Sequence, residues 1–204
     1  MTDLFEKNER ACLPGLFGWL FEALFVFLSL LTVLTADAAY CEEKKHASTF
    51  VRSLRVGIAA HDVDGLWSGS SKEKGPDLIA EIVFNQKLFQ LMSAAAYPNA
   101  GVTINTHGDT SKLYAGFLMR WAPFHSLFLS TGLGLALHNG ETDTEASDKK
   151  SLGSQLLFRI PIEIGFAFTR HHRLFVCFDH ISNAYLTSPN EGLDTLGLVY
   201  AFHF

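Results

Sequence analysis

From residue 126 the chain reads SLFLSTGLGLAL, and bulky and small side chains change places along it. Leu127, Leu129, Leu133, Leu135 and Leu137 share one parity, and Phe128, Ser130, Gly132, Gly134 and Ala136 share the other. Successive side chains of a strand point to opposite faces, so period two predicts a strand with one apolar and one small, mixed face. Residues 156–168, LLFRIPIEIGFAF, repeat the pattern. There Phe158, Ile160, Ile162, Ile164, Phe166 and Phe168 alternate with Arg159, Pro161, Glu163, Gly165 and Ala167. Pro161 is the weakest local fit, because proline has no N–H for a ladder.

Eight such segments are expected, over 49–61, 77–87, 92–104, 112–121, 126–137, 154–168, 172–182 and 194–204. The connections at 62–76, 105–111, 138–153 and 183–193 are mostly long and polar; those near 88–91, 122–125 and 169–171 are short. An even strand number with long and short connections in alternation predicts an all-β fold, an eight-stranded antiparallel outer-membrane β-barrel. Both termini and the short turns then lie on the periplasmic side. A water-soluble eight-stranded barrel or a sandwich would turn the Leu and Phe rows inward and place a richly charged face outward. Here the opposite face is Gly, Ala and Ser with isolated charges, so Arg159 and Glu163 are expected to pair in a narrow lumen, together with Asp179. A chain with 18 Phe and 16 Gly, 48% hydrophobic, suits a bending sheet that presents aromatics to lipid.

Residues 1–38 are set apart as an expected signal peptide: an apolar run, LFGWLFEALFVFLSLLTVL, precedes Ala36 and Ala38 at the small-residue spacing of a cleavage site. A retained membrane helix is the alternative, since acids outnumber bases in the first residues and Glu22 interrupts the run. Residues 39–48 form a periplasmic lead-in, and 49–204 the barrel. Cys41 and Cys177, far apart, make no disulfide framework. Tyr40 is not the small residue that a lipoprotein anchor at Cys41 requires.

The chain closes on CFDHISNAYLTSPNEGLDTLGLVYAFHF. Leu196, Leu198, Tyr200, Phe202 and Phe204 share a face, and Asp194 has their parity. Leu174, Val176 and Phe178 assign His180 and Ser182 to the same outward face of the preceding segment. Residues two apart on a strand are separated by roughly 6.6 Å, near enough for side chains to lean together. Polar groups facing lipid are expensive and usually functional. His180 can take the Ser182 proton, Ser182 can attack an ester carbonyl, and Asp194 can hold the imidazole. Asn183 or nearby backbone donors are candidates for the oxyanion. An H-x-S pair alone is also a common surface pattern.

FDHISNAYLTSPNEGLD, followed by a strand ending aromatic–x–Phe, resembles the lipid A 3-O-deacylase (PagL) family. AHDVDG, YAGFLMRWAP and KKSLGSQLLFR extend the resemblance over about 49–204. It implies an eight-stranded outer-membrane barrel whose serine hydrolase site faces the membrane and removes the 3-linked 3-hydroxyacyl chain of lipid A. His180 and Ser182 match the family's catalytic pair in H-x-S-N, and Asn183 its oxyanion residue. The family's catalytic Glu follows a Pro-Asn-x-Gly segment. Here PNEGLD puts Asp194 in that place, and Glu191, inside the turn, is the alternative acid.

Lipid A, or lipopolysaccharide, and outer-membrane lipid are the partners implied. A homodimer could shield lipid-facing polarity. Neither cofactor nor metal is called for: His61, Asp62, Asp64, His107 and Asp109 are scattered loop residues that define no coordination geometry. A net charge of −5 gives no broad basic surface for nucleic acid. Lys72, Lys74, Lys149 and Lys150 are loop cations that could meet lipid A phosphates, and His171, His172 and Arg173 read as a wet basic turn. Trp67, Trp121 and Tyr114 are candidate interfacial anchors. Competing functions are a catalytically silent structural or ligand-binding barrel, and a related phospholipid or lipid A acyl hydrolase or transferase. An aqueous pore fits poorly, because eight strands leave room mainly for side chains.

Overall fold

The computed structural model describes residues 49–122 and 126–204. The expected signal peptide, 1–38, and the lead-in, 39–48, lie outside the described residues. The strands are β1 (Val51–Ala60), β2 (Pro76–Phe84), β3 (Phe89–Leu91), β4 (Ala94–Asn105), β5 (Lys112–Trp121), β6 (Leu127–His138), β7 (Leu156–Ala167), β8 (His172–Ser182) and β9 (Leu193–His203). β1 pairs with both β2 and β9, and β2 with β4, so eight strands close an antiparallel ring. Closure leaves none of those eight with a free edge.

The ninth strand departs from expectation. β2 ends at Phe84, although the Asn85 N–H still reaches the Phe50 carbonyl at 2.9 Å. The chain then re-enters as β3, which pairs with Ala94–Ala96 of β4 beyond the end of β2. A connection expected as a bare turn near 88–91 therefore carries three strand residues.

The alternation holds around the ring. Leu54, Leu78, Leu113, Leu135, Ile164 and Leu198 are exposed on the outer wall, whereas Phe128, Ser130, Ala136, Phe175 and Val199 are buried inside. An apolar belt with charge within inverts a water-soluble barrel and has the transmembrane pattern. Pro161 is accommodated where the β6–β7 register runs from Thr131↔Ile162 to Gly134↔Arg159 with no paired residues between.

Inside, cations meet carboxylates. Arg55 lies 2.8 Å from Glu81 and 2.7 Å from Glu163, while Asp179 is 2.8 Å from both Arg159 and Lys112. The expected Arg159–Glu163 pair is therefore replaced by Arg55–Glu163 and Arg159–Asp179. Tyr114 is only 3% exposed and lies under the Arg159 guanidinium, which is 3.7 Å from its ring centroid. It plugs the lumen and is no interfacial anchor.

Candidate active site

The connections 61–75, 106–111, 139–155 and 183–192 gather at one end of the barrel and interlock. Lys150 is 1% exposed and reaches Asp62 at 3.2 Å, with further bonds to the carbonyls of Ser68 and Ser70. Lys72 binds Glu191 at 2.6 Å, and Lys149 pairs with Asp109. Three of the four loop lysines thus hold loops to loops, in place of the free phosphate-meeting role expected for them. His61 lies between Asp77 and Glu73, 2.9 Å from each. Burial pulls its pKa down, but hydrogen bonds and charge from the two carboxylates outweigh that and raise it to about 9.

Under this cap, β8 and β9 bring three predicted residues together. His180 and Asp194 stand directly opposite in the ladder. His180 Nδ1 is 2.6 Å from Asp194 Oδ1, and His180 Nε2 is 2.9 Å from Ser182 Oγ. Period two places His180 and Ser182 on one side of β8, and antiparallel register sets the acid across from the imidazole. Ser182 is half-buried and faces Phe158 of β7 on the outer wall.

The other two candidates lie elsewhere. Glu191 is turned away from His180: one oxygen takes Lys72 and the other accepts the Ser151 N–H at 2.6 Å. Burial raises its pKa, yet these two partners hold it below the ordinary carboxylate value. Asn183 is buried and ties its own loop and the 139–155 connection, its Nδ2 lying 3.1 Å from the Leu152 carbonyl, 2.9 Å from Thr187 Oγ1 and 2.8 Å from the Pro189 carbonyl. Its backbone N–H donates to Asn190 Oδ1. Ala184 and Tyr185, next in the chain, both have positive φ, at 53° and 59°. Consecutive left-handed residues are strained for non-glycine side chains. Neither N–H has an acceptor among the described residues.

Two backbone hydrogen bonds had no signal in the sequence. The Ser68 N–H donates to Asp194 Oδ2 at 2.7 Å, and the Val63 N–H donates to the Asp194 carbonyl at 2.9 Å. Trp67 sets its ring edge-on to His180 and to Phe178, centroids 5.2 Å apart in each case. The 61–75 loop thereby buries Asp194 completely although its parity points it outward. Gly192, in the PNEGLD turn, has φ +65°, and a Cβ there would lie 3.2 Å from His180 Cε1. Glycine at this turn lets the chain pass close to the ring.

Known proteins resemble this chain to differing extents. A lipid A deacylase PagL from Bordetella bronchiseptica is 31% identical over 87 residues, which is 43% of this chain and 47% of that protein. The chain thus spans about half the length of the curated relative it matches. The crystal structure of the outer membrane enzyme PagL superposes with a TM-score of 0.55 at 23% identity, covering 74% of this chain and 99% of that one. It supports the closed barrel. The Yersinia pestis outer membrane protein Ail is more distant, with a TM-score of 0.44 and 12% identity over 76% of this chain and 100% of its own. A family model for lipid A 3-O-deacylase (PagL) matches residues 57–203, from β1 to the last residue of β9, and the chain belongs to that family.

Proposed function

We propose that the chain is an outer-membrane serine esterase that removes the 3-O-linked 3-hydroxyacyl chain of lipid A. The observation that carries this reading is the unbroken Asp194–His180–Ser182 relay, at 2.6 and 2.9 Å, on the outer wall of an apolar-faced barrel. An ionised carboxylate only accepts hydrogen bonds, so it selects the imidazole tautomer with its proton on Nδ1. Nε2 is then bare and accepts from the Ser182 hydroxyl.

Ser182 Oγ attacks the ester carbonyl as His180 takes its proton, and a tetrahedral oxyanion forms. Breaking the bond from that carbon to the sugar oxygen restores the carbonyl, and His180 gives its proton to that oxygen, which leaves as the sugar 3-hydroxyl. The deacylated lipid leaves and the acyl group remains on Ser182. Water, deprotonated by His180, then attacks the acyl carbonyl; the bond to Ser182 Oγ breaks, His180 returns the proton to Oγ, and the 3-hydroxy fatty acid leaves. Asp194 stays ionised throughout and stabilises the imidazolium. With the Asn183 amide committed to its loop, the Ala184 and Tyr185 N–H groups are the donors for the oxyanion, because adjacent N–H groups in such turns make anion-binding concavities.

Location on the outer wall lets an acyl chain lie along Phe158 and its apolar neighbours while the ester sits at headgroup level. The long-connection end therefore belongs at the outer leaflet, with both termini towards the periplasm. The test is mass spectrometry of lipid A incubated with the folded chain in detergent, beside Ser182→Ala. Loss of one 3-hydroxyacyl group with the native chain alone is expected, with fragment ions placing the ester at position 3. Intact lipid A in both samples would leave a silent barrel, and loss from a phospholipid control instead would make it a phospholipase.

A further inference from the structure

The opposite end of the lumen has a charge imbalance. In its upper half, Arg55, Arg159 and Lys112 are matched by Glu81, Glu163 and Asp179, each cation with a carboxylate partner. Below them lie Arg52, Arg120 and Arg173, and no carboxylate among the described residues pairs with any of these three. Arg120 and Arg173 take the inward parity of Leu118 and Phe175. The β1–β2 register shift between Val51 and Ser53 falls at Arg52, and the Arg52 guanidinium lies over the Tyr97 ring, 4.0 Å from its centroid.

The three guanidiniums converge. Arg120 and Arg173 share the Phe128 ring, at 4.5 and 5.8 Å from its centroid. Arg52 and Arg120 line one cleft together with Arg55, Tyr97 and Leu118. Hydrogen-bond acceptors are scarce for so many donors. Arg52 has the Asn85 side chain at 3.3 Å, Arg120 has Ser130 Oγ at 3.4 Å, and Arg173 Nε is buried without a partner. His203, 7% exposed and on the inward parity of β9, also has a buried Nε2 with no acceptor or donor beside it.

Like charges held close together at the half-buried mouth of the lumen repel, and donors left there without acceptors are costly. A compact oxyanion removes both penalties at once. Guanidinium forks match the oxygens of phosphate in geometry as well as charge. We propose that the barrel mouth at the short-turn end is an anion site in which Arg52, Arg120 and Arg173 hold a phosphate group, with His203 donating from below. It lies roughly 23 Å along β8 from His180, taking seven residues at about 3.3 Å each, and is separate from the ester site. Free phosphate and the phosphate of an anionic lipid headgroup offer the same chemistry at this mouth.

The experiment is thermal unfolding of the folded full chain in zwitterionic detergent, with sodium phosphate replacing chloride at matched ionic strength. A second arm keeps chloride and adds phosphatidylglycerol or, as control, phosphatidylcholine to the micelles. Expected is a rise of several degrees at saturating ligand, as binding to the native state alone produces. A response to phosphate assigns the free anion, and a response to phosphatidylglycerol alone assigns the headgroup. Arg120→Gln and Arg173→Gln should each weaken the response at least tenfold in apparent Kd. In chloride these variants should unfold no lower than the native chain, since each relieves repulsion. Absence of any rise in both arms, an equal rise in the arginine variants, or variants that unfold lower in chloride would each overturn the site.

Discussion

The backbone N–H of Ser68 donates to Oδ2 of Asp194 at 2.7 Å, across 126 positions of sequence, while Oδ1 of the same carboxylate faces His180. Both oxygens are thereby fixed, and the acid is set by a loop as much as by its own strand. Ser68→Pro removes the donor. A hydrogen bond to a charged group contributes about 1.5–3 kcal/mol, so kcat should fall roughly ten- to a hundredfold. Ser68→Ala keeps the N–H and should retain native turnover. Equal turnover in the two variants, both folded, would show that the loop does not position the acid.

Asp194→Asn preserves the shape of the contact with His180 but removes the charge that selects its tautomer. Lipid A deacylation should drop roughly 10⁴-fold, the cost of that substitution in another serine triad. Glu191→Gln should leave turnover close to native, because its partners are Lys72 and the Ser151 N–H. Rates from the two variants, measured by acyl release on one lipid A preparation, decide between the acids. The reverse ranking would move the catalytic acid to Glu191.

The His61–Glu73 contact makes stability depend on pH in two directions. His61 is raised from 6.5 to about 9, so its contribution is complete below pH 6.5 and is lost as pH rises through 9. Glu73 is lowered from 4.5 to about 2: burial opposes this, but the His61 ring and the Lys150 and Thr110 N–H groups prevail. Its contribution is complete above pH 4.5 and is lost as pH falls towards 2. Unfolding temperature should therefore plateau between pH 4.5 and 6.5 and decline on either side. His61→Gln should flatten the alkaline decline, measured by unfolding in detergent across that range. An unchanged alkaline limb would place the pH dependence elsewhere.

Arg55 serves two carboxylates, Glu81 and Glu163, within the lumen. Arg55→Met leaves both without this cation and should destabilise the barrel by about 3–5 kcal/mol, the range for breaking a buried ion pair. Denaturant unfolding of the lipid-free, detergent-folded chain reads this directly. The double change to Arg55→Met and Glu163→Gln should recover part of the loss, since one stranded charge is removed. No recovery would mean that the two side chains are not energetically coupled.

Much of this architecture is local in origin and was legible in the chain. Period-two alternation follows from the geometry of each peptide, so Leu129, Leu133 and Ile164 announce the outer wall, and Ser130 and Glu163 the lumen, without any partner being known. The same parity sets His180 and Ser182 side by side on β8 and aims Asp194 to their side of β9. Tertiary structure decided what those residues meet. Closure through β2–β4 and β1–β9 brings Arg55 to Glu163 instead of leaving that carboxylate to Arg159. Folding of the 61–75 loop buries Asp194, and the Lys72 contact draws Glu191 away. Asn183 is drawn in between two loops by acceptors on Leu152, Thr187 and Pro189. These outcomes depend on hydrogen bonds between segments remote in sequence, and alternation along a strand carries no information about which loop will cover it.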